Sequence, residues 1–272
     1  ERALNPNRQD GEETAAEMLE LTGNGFRIKV GQYGTNNDVY YVAIRKGIKK
    51  PTDATKVFNT VVYGGSTSAD GNNLTQSFAP VDLYDGGRLF WTKIYTGTNN
   101  GTSHALATSK TGPYYLQSDT QSGHTAFTNI LWDNPEFVHL NSGSYNQSGN
   151  THISWNFKTA AGFFDIVTYN GTGTNPQAFN HNLGVVPEMM IVKKRNYNQY
   201  WWVYHSALGN TGRLHFNDTI DAISNSTDWG STTPTSSVFY VGNNTNDNSG
   251  GSKYIALLFA SCPGVSKVGT YS

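Results

Sequence analysis

The sequence contains FFDIVTY at Phe163–Tyr169 and YIALLF at Tyr254–Phe259, two runs typical of buried β-strands. The same pair of patterns occurs earlier in the chain, as VFNTVVY at Val57–Tyr63 and HISWNF at His152–Phe157. Each pair brackets a segment longer than any solenoid unit but of the usual size for a small β domain. The repeated pair therefore predicts two copies of one β domain, each able to hold its own core.

Residues between the opening and closing patterns also correspond in the two segments. FAP at 78–80 corresponds to VVP at 185–187, and VYYVAI at 39–44 is typical of the end of a preceding copy. These corresponding positions predict that the chain has three parts. They are a C-terminal remnant of a preceding unit at 1–56, a first β-sandwich repeat at 57–162 and a second β-sandwich repeat at 163–272.

Short apolar or alternating runs, separated by clusters of Gly, Asn and Ser, predict strands along most of the chain. We therefore predict an all-β protein of tandem antiparallel β-sandwich, jelly-roll-like repeat domains. A short helical segment is expected within 1–22, where Asp10 is placed as an N-cap. The loop at 242–251 has no apolar residue and is expected at the surface. The strands predicted in the second repeat lie at about 164–169, 188–194, 200–205, 212–217, 237–241 and 253–260.

Composition and charge limit the classes of partner that the chain is expected to bind. Hydrophobic residues make up 36% and charged residues 14% of the chain, and the formal net charge is −1. A near-neutral chain has no broad attraction for nucleic acid or anionic lipid, so we expect neither nucleic-acid binding nor membrane insertion. The single cysteine, Cys262, excludes an intrachain disulfide.

Four segments of the chain resemble a repeat domain of tail-fibre-like structural proteins from tailed bacteriophages that infect cyanobacteria and other marine bacteria. The resemblance is close over 163–272 and looser over 57–162. The segments that carry it are GFFDIVTY at 162–169, HNLGVVPEMMIVK at 181–193, WVYH at 202–205 and PTSSVF at 234–239.

The resemblance implies a virion structural protein in a tail fibre or appendage, with a role in contacting the host surface. It implies no catalytic residue and no cofactor. The expected partners are further copies of the chain, with a trimer as the leading arrangement, other virion proteins and host surface glycans. A carbohydrate-binding adhesin or lectin module is the alternative hypothesis, and a polysaccharide depolymerase is a third.

An aromatic cluster supplies the candidate residues for contact with a glycan or receptor. They are Tyr197, Tyr200, Trp202 and Tyr204. Strand alternation places the last three on one face, opposite Trp201. Aromatic rings of this kind stack on sugars, but they also fill cores, and both interpretations stay open at this point.

The histidines and acidic residues do not indicate a metal site or a catalytic pair from sequence alone. His181, His205 and His215, with Asp218 nearby, lack the close spacing of a zinc site. The carboxylates that could form a glycosidase pair are Asp165, Glu188, Asp218 and Asp228, and sequence alone does not pair them. If the chain binds a ligand, the segments that differ between the copies are the expected place. These are 69–77 and 84–110 against 170–184 and 194–210.

Overall fold

A computed structural model of the chain describes residues 49–66, 87–97, 104–126, 145–224 and 227–270, together with the backbone of several short strands outside those ranges. The chain divides into two compact units. One comprises residues 1–47 with 82–85, and the other comprises 48–81 with 86–272.

The first unit contains two antiparallel strand pairs, β1 with β2 and β3 with β4. The helix expected within 1–22 is corrected, because Glu13–Thr14 and Leu19–Thr22 form strands. Apolar residues alternate through Leu19, Leu21, Phe26 and Ile28, so pairing between strands overrides local helix propensity. The predicted segment at 39–44 lies outside the described residues. The strands are β1 Arg2–Ala3, β2 Glu13–Thr14, β3 Leu19–Thr22 and β4 Gly25–Ile28.

In the second unit the described residues form mainly strands, with short 3₁₀ turns at Ala54–Lys56 and Gly209–Thr211. Its first half contains β5 Phe58–Gly64, β6 Asn72–Thr75, β7 Arg88–Thr96, β8 Ala105–Thr108, β9 Tyr114–Gln117, β10 Thr125–Ala126, β11 Ile130–Leu131, β12 Phe137–Leu140 and β13 Thr151–Lys158. Its second half contains β14 Phe164–Asn170, β15 Gln177–Asn180, β16 Met189–Lys194, β17 Trp201–His205, β18 Leu214–His215, β19 Val238–Val241 and β20 Lys253–Phe259.

Two large antiparallel sheets share one strand order. The first large sheet runs β5-β13-β7-β8-β9-β10, and the second large sheet runs β14-β20-β16-β17-β18. In both, the opening strand lies at the edge beside the closing strand, and the intervening strands follow in chain order. A small sheet accompanies each half, β6 with β11 and β12 in the first and β15 with β19 in the second.

The two large sheets pack face to face around a shared core. The buried cluster between them includes Leu89 and Leu106 from the first sheet and Phe164, Ile191 and Leu257 from the second. A second cluster fills the space between the second large sheet and the β15–β19 pair, and a third lies on the other face of the first sheet around Phe90. The chain is therefore all-β and layered as a β-sandwich. We expected separate cores in 57–162 and 163–272, whereas the largest core draws on both.

All six strands predicted in 163–272 are confirmed, and β15 is an additional strand that the sequence did not reveal. The loop at 242–251 differs from expectation, because Asp247 and Asn248 are fully buried. The backbone oxygen of Asp247 accepts a hydrogen bond from Tyr169 Oη at 2.7 Å. The Asn248 amide donates to the backbone oxygens of Thr174 and Gly242, both at 2.7 Å. Part of a loop without apolar residues is thus buried. The Asn248 amide is hydrogen-bonded there, whereas both carboxylate oxygens of Asp247 have no partner among the described residues.

One tyrosine arrangement occurs in both halves. Tyr63 stacks on His152 with ring centroids 5.0 Å apart, and its Oη donates to the Tyr145 backbone oxygen at 2.7 Å. Tyr169 stacks on Tyr254 at the same 5.0 Å, and it makes the equivalent 2.7 Å bond to the loop that precedes β20. Each tyrosine therefore ties an opening strand to its closing strand and to the preceding loop.

Candidate functional site

A cleft of about 480 Å³ opens on the inner face of the first large sheet, where the second sheet does not cover it. Its floor is formed by Trp91 of β7 and Trp155 of β13, which are directly opposite in the strand register. Their rings meet edge to face with centroids 6.0 Å apart. Phe216, which follows β18, brings a third ring to 5.4 Å from that of Trp91. The volume lies within the roughly 300–1,000 Å³ typical of ligand pockets.

The ring of Trp91 is held in place by a hydrogen bond. Its indole nitrogen donates to Ser118 Oγ at 3.0 Å. Because the polar edge of the indole is occupied by the protein, its aromatic surface is what the cleft presents to a ligand. Trp91 and Trp155 are both half-buried, so each keeps part of its ring accessible.

The wall at 216–219 is anchored to the beginning of β17. The Phe216 N–H donates to the Trp201 backbone oxygen at 2.9 Å, and Asn217 Oδ1 accepts from the Trp201 N–H at 2.9 Å. Trp201 is buried, and its indole N–H donates to the backbone oxygens of Gln117 at 3.0 Å and Thr120 at 3.2 Å. One tryptophan therefore fixes the wall relative to the first large sheet.

Polar groups of both charges surround the rings. Lys93, His104 and Asp119 lie on the side of the first sheet, and Asp218 lies on the wall. His104 Nδ1 is 3.5 Å from Asp119 Oδ2, and Asp119 Oδ1 is buried without a hydrogen-bond partner within the described part of the chain. Asp218 Oδ1 accepts from the Thr219 N–H at 2.7 Å. The cleft thus offers donors and acceptors without a dominant charge.

The structure corrects the predicted glycan contacts. Trp202 and Tyr204 are 2% and 3% exposed, because β17 is covered on both faces, so neither ring can contact a ligand. Tyr200 is half-buried and stacks on His215 with centroids 4.8 Å apart. Tyr197 is 61% exposed, and Lys194 Nζ lies 5.1 Å from its ring centroid. Only Tyr197 remains freely accessible, and it does not line the cleft.

The three histidines have structural roles. His181 Nδ1 accepts from the Leu183 N–H at 3.2 Å, so Nε2 carries the proton and donates to the Thr235 backbone oxygen at 3.2 Å. Burial lowers the pKa of His181 below its ordinary value. His205 Nδ1 caps the following turn by accepting from the Ala207 N–H at 3.2 Å.

His215 packs between Tyr200 and Trp202, and burial and then Arg213 lower its pKa. Its Nδ1 is 3.9 Å from Asp218 Oδ2, which is too long for a hydrogen bond. Among the residues that the structure describes, no three His, Cys, Asp or Glu side chains come together as a metal site.

Three of the four candidate carboxylates support the fold. Asp165 accepts from the Ile166 N–H at 2.9 Å and the Asn182 N–H at 2.7 Å. Glu188 accepts from the Ser261 N–H, and the hydrogen bonds of the Ser261 hydroxyl and then of this N–H lower the pKa of Glu188. Asp228 is fully buried and pairs with Arg213. Only Asp218 lies in the cleft, where Asp119 is a carboxylate that the sequence did not single out.

Two buried ionisable groups lie apart from the cleft in the second half of the chain. Lys193 Nζ donates to the backbone oxygens of Gln121 at 2.8 Å and Gln199 at 2.7 Å, and burial lowers its pKa to about 7. Burial and the nearby Asp228 raise the pKa of Asp247 to about 8. Both groups are therefore sensitive to pH near neutrality.

Sequence reasoning missed Trp91, Trp155 and Phe216 because they belong to three separate strands or strand ends. Segment 84–110, which was expected to hold any binding site, does contribute Trp91, Lys93 and His104. A usable signal was the closing pattern itself, in which Trp155 stands where the second half has Leu257. A tryptophan at the position of a core leucine, in a strand that otherwise matches, indicates that position 155 is less enclosed than position 257.

Fold and site together define an all-β sandwich protein with an open aromatic cleft. Within the described residues there is no helix long and apolar enough to span a bilayer. The chain belongs to the family described as "Domain of unknown function (DUF7483)", whose model matches residues 53–272. No curated protein and no solved structure matches the chain.

Proposed function

We propose that this chain is a structural protein of a tailed bacteriophage particle, a component of a tail fibre or related appendage that contacts the host surface. Its place would be the extracellular virion, and its role there non-catalytic. The resemblance of 163–272 to marine phage tail-fibre-like proteins supports the virion assignment. The observation that carries the proposal is the buried joint between the two large sheets.

That joint leaves little room for a hinge. β13 ends at Lys158 and β14 begins at Phe164, so only a short turn connects the halves. The Phe164 ring is fully buried, with centroids 5.4 Å from Phe157 and 4.8 Å from Phe259. Domains linked by flexible segments move relative to one another, whereas a shared apolar core resists such motion. A stiff series of packed sheets suits a fibre that must transmit force.

We also propose that 57–162 and 163–272 are two copies of one β-sandwich domain, and that 1–56 ends a preceding copy. The common strand order of the two large sheets supports this, as do close contacts at equivalent loops. The Gly65 N–H donates to the Asn150 backbone oxygen at 2.8 Å, and the Gly171 N–H donates to the Ser252 backbone oxygen at 2.8 Å. A Cβ at either glycine would collide with a backbone oxygen of the loop before the closing strand.

In the particle, the proposed partners are two further copies of the chain in a trimer, other virion proteins and a host surface glycan. Symmetric homo-oligomers are the default for soluble assemblies, which supports self-association. Sedimentation of the purified chain tests this part, because a trimer has three times the mass of the single chain. A monomer at micromolar concentration would contradict it.

The virion assignment is tested by immunogold electron microscopy. Antibodies raised against the purified chain should label the tail or its appendages on intact particles of the phage that encodes it. A matched control uses the same antibodies after absorption with the purified chain, which should remove the label. Protein found in infected cells but absent from purified, unlabelled particles would contradict the proposal.

The cleft favours saccharide binding as the second candidate function, because aromatic surfaces lie beside hydrogen-bonding groups there. This function is compatible with the first, since an appendage that contacts a host needs a surface ligand. The depolymerase hypothesis has less support, because Asp165, Glu188 and Asp228 are engaged within the fold.

A further inference from the structure

The rings of the cleft occupy positions that are ordinary core positions in the other half of the protein. Trp91 and Trp155 are opposite one another on β7 and β13, and Ile191 and Leu257 are opposite one another on β16 and β20. Both pairs lie on inner faces of sheets with the same strand order. Ile191 and Leu257 are 4% and 1% exposed, whereas the tryptophans are only half-buried. Trp91 packs partly against the shared core, whereas Trp155 belongs to no buried cluster among the described residues. Core packing therefore does not account for a large aromatic residue at position 155.

The ring arrangement fits a pyranose ligand. A sugar ring has an apolar C–H face, which lies flat on an aromatic surface, and hydroxyl groups around its edge. Trp91 and Trp155 supply a floor, and Phe216, which is 42% exposed, supplies a raised side. The hydrogen bond from Trp91 to Ser118 and the anchoring of the wall by Trp201 fix these rings before a ligand arrives. Preorganised contacts reduce the entropy lost on binding.

The polar groups favour a ligand rich in hydroxyls over a charged one. Lys93 and His104 can donate hydrogen bonds, and Asp119 and Asp218 can accept them. Asp119 lines the cleft with a side chain that is 22% exposed, so its carboxylate is an acceptor for a ligand hydroxyl. Two carboxylates at the rim repel the phosphates of a nucleic acid, and the single lysine gives no cluster of positive charge for a polyanion.

We propose that this cleft binds neutral pyranose saccharides, with Trp155 and Phe216 as the rings on which sugars stack and Asp119 as a hydroxyl acceptor. That the saccharide belongs to a host surface rests on the proposed function. The saccharide site itself rests on the cleft alone, so the two can fail separately.

The test is direct binding to the full purified chain. The probes are cellohexaose, maltohexaose and laminarihexaose, followed by tryptophan fluorescence and isothermal titration, together with an array of bacterial surface polysaccharides. We expect at least one probe to bind with a Kd between about 1 mM and 1 μM. Trp155→Ala should weaken that binding by about tenfold or more, because a few aromatic anchors dominate most binding sites.

Two variants control for folding and for place. The double variant Trp91→Ile with Trp155→Leu installs the residues of the second sheet, so the face stays apolar while the aromatic floor is lost. It should fold, as judged by circular dichroism and a cooperative melt, and bind no probe. Tyr197→Ala removes the accessible tyrosine outside the cleft and should bind as the unaltered chain does.

Each contrary result overturns the proposal. Binding that survives in both folded tryptophan variants, or that is lost in Tyr197→Ala, places the saccharide elsewhere. A folded chain that binds none of the probes or arrayed polysaccharides removes the saccharide site, while immunogold labelling of particles still decides the virion assignment. Release of reducing ends from a bound probe, abolished by Asp218→Asn, would replace the proposed lectin-like site with a hydrolytic one.

Discussion

Trp91 and Trp155 in the first large sheet and Ile191 and Leu257 in the second hold equivalent places in the same strand order. The aliphatic pair is sealed within the shared core, and the tryptophan pair lines the open cleft. One backbone arrangement thus supports both a packed interface and an open site. A binding site is therefore to be expected at positions where the residues of the two halves differ.

A pair of lysines at equivalent positions shows the same difference between the two large sheets. Lys93 lies opposite Ile153, and Lys193 lies opposite Ile255, so the two lysines are also equivalent in register. Lys93 is half-buried beside the cleft, whereas Lys193 is fully buried and bonded to two backbone oxygens. In one half the lysine is available to a ligand, and in the other it joins two parts of the fold.

The largest expected effect comes from truncating the equivalent apolar positions. Leu257→Ala should lower the free energy of unfolding by about 2–5 kcal/mol, because it leaves a cavity in the shared core. Trp155→Ala should cost only about 1–2 kcal/mol, since part of its ring already contacts solvent. Urea denaturation of both variants measures the difference. Equal losses would mean that Trp155 is a core residue and not the floor of an open site.

Much of the fold was accessible from the sequence because strand signals are local. The runs at 189–192 and 254–259 are apolar and short, and both lie in strands as predicted. The site was not accessible, because it depends on register and on which faces are covered. Trp202 and Tyr204 belong to a conspicuous aromatic run, yet the second cluster buries them, whereas Trp91 and Trp155 meet only through the pairing of β7 with β13.

The next effect concerns Asp247, a buried acid of the second half whose corresponding position in the first half is a tyrosine. At the position of Asp247 the first half has Tyr145, and both backbone oxygens accept from a tyrosine. Asp247 is buried near Asp228, Arg213, Tyr169 and Tyr254. Its raised pKa, about 8, means that the folded state holds a proton that the unfolded state releases above about pH 4.

Stability from this group is therefore present at low pH and is lost as pH rises from about 4 to about 8. Asp247→Asn removes the titration and should be more stable than the unaltered chain at pH 9 by about 1–3 kcal/mol. Thermal melts at pH 5 and pH 9 measure this. A variant whose stability falls with pH as steeply as that of the unaltered chain would show that Asp247 is not the titrating group.

A smaller effect of opposite sign is expected for Lys193. Its folded pKa of about 7 lies below its ordinary value of 10.5, so the unfolded state binds more protons between these values. The unaltered chain should therefore gain stability as pH rises from about 7 towards 10, and Lys193→Met should lack that gain, a difference of about 1–2 kcal/mol between pH 7 and pH 9. Urea denaturation at pH 7 and pH 9 separates the two chains. The equivalent variant Lys93→Met is the control, and a matching loss there would contradict the assignment.

The smallest effect tests whether the halves are equivalent in energy as well as in geometry. Tyr63→Phe and Tyr169→Phe each remove one buried hydroxyl and its 2.7 Å bond to a loop carbonyl. Each should cost about 0.5–1.5 kcal/mol, the usual net value of a buried hydrogen bond. Tyr63 Oη also forms a hydrogen bond with Thr92 Oγ1 at 3.0 Å. Tyr63→Phe should therefore lower the free energy of unfolding more than Tyr169→Phe does, by about a few tenths of a kcal/mol. If Tyr169→Phe were instead the costlier change, the loop at 242–251 would depend on its tyrosine in a way that the loop before β13 does not.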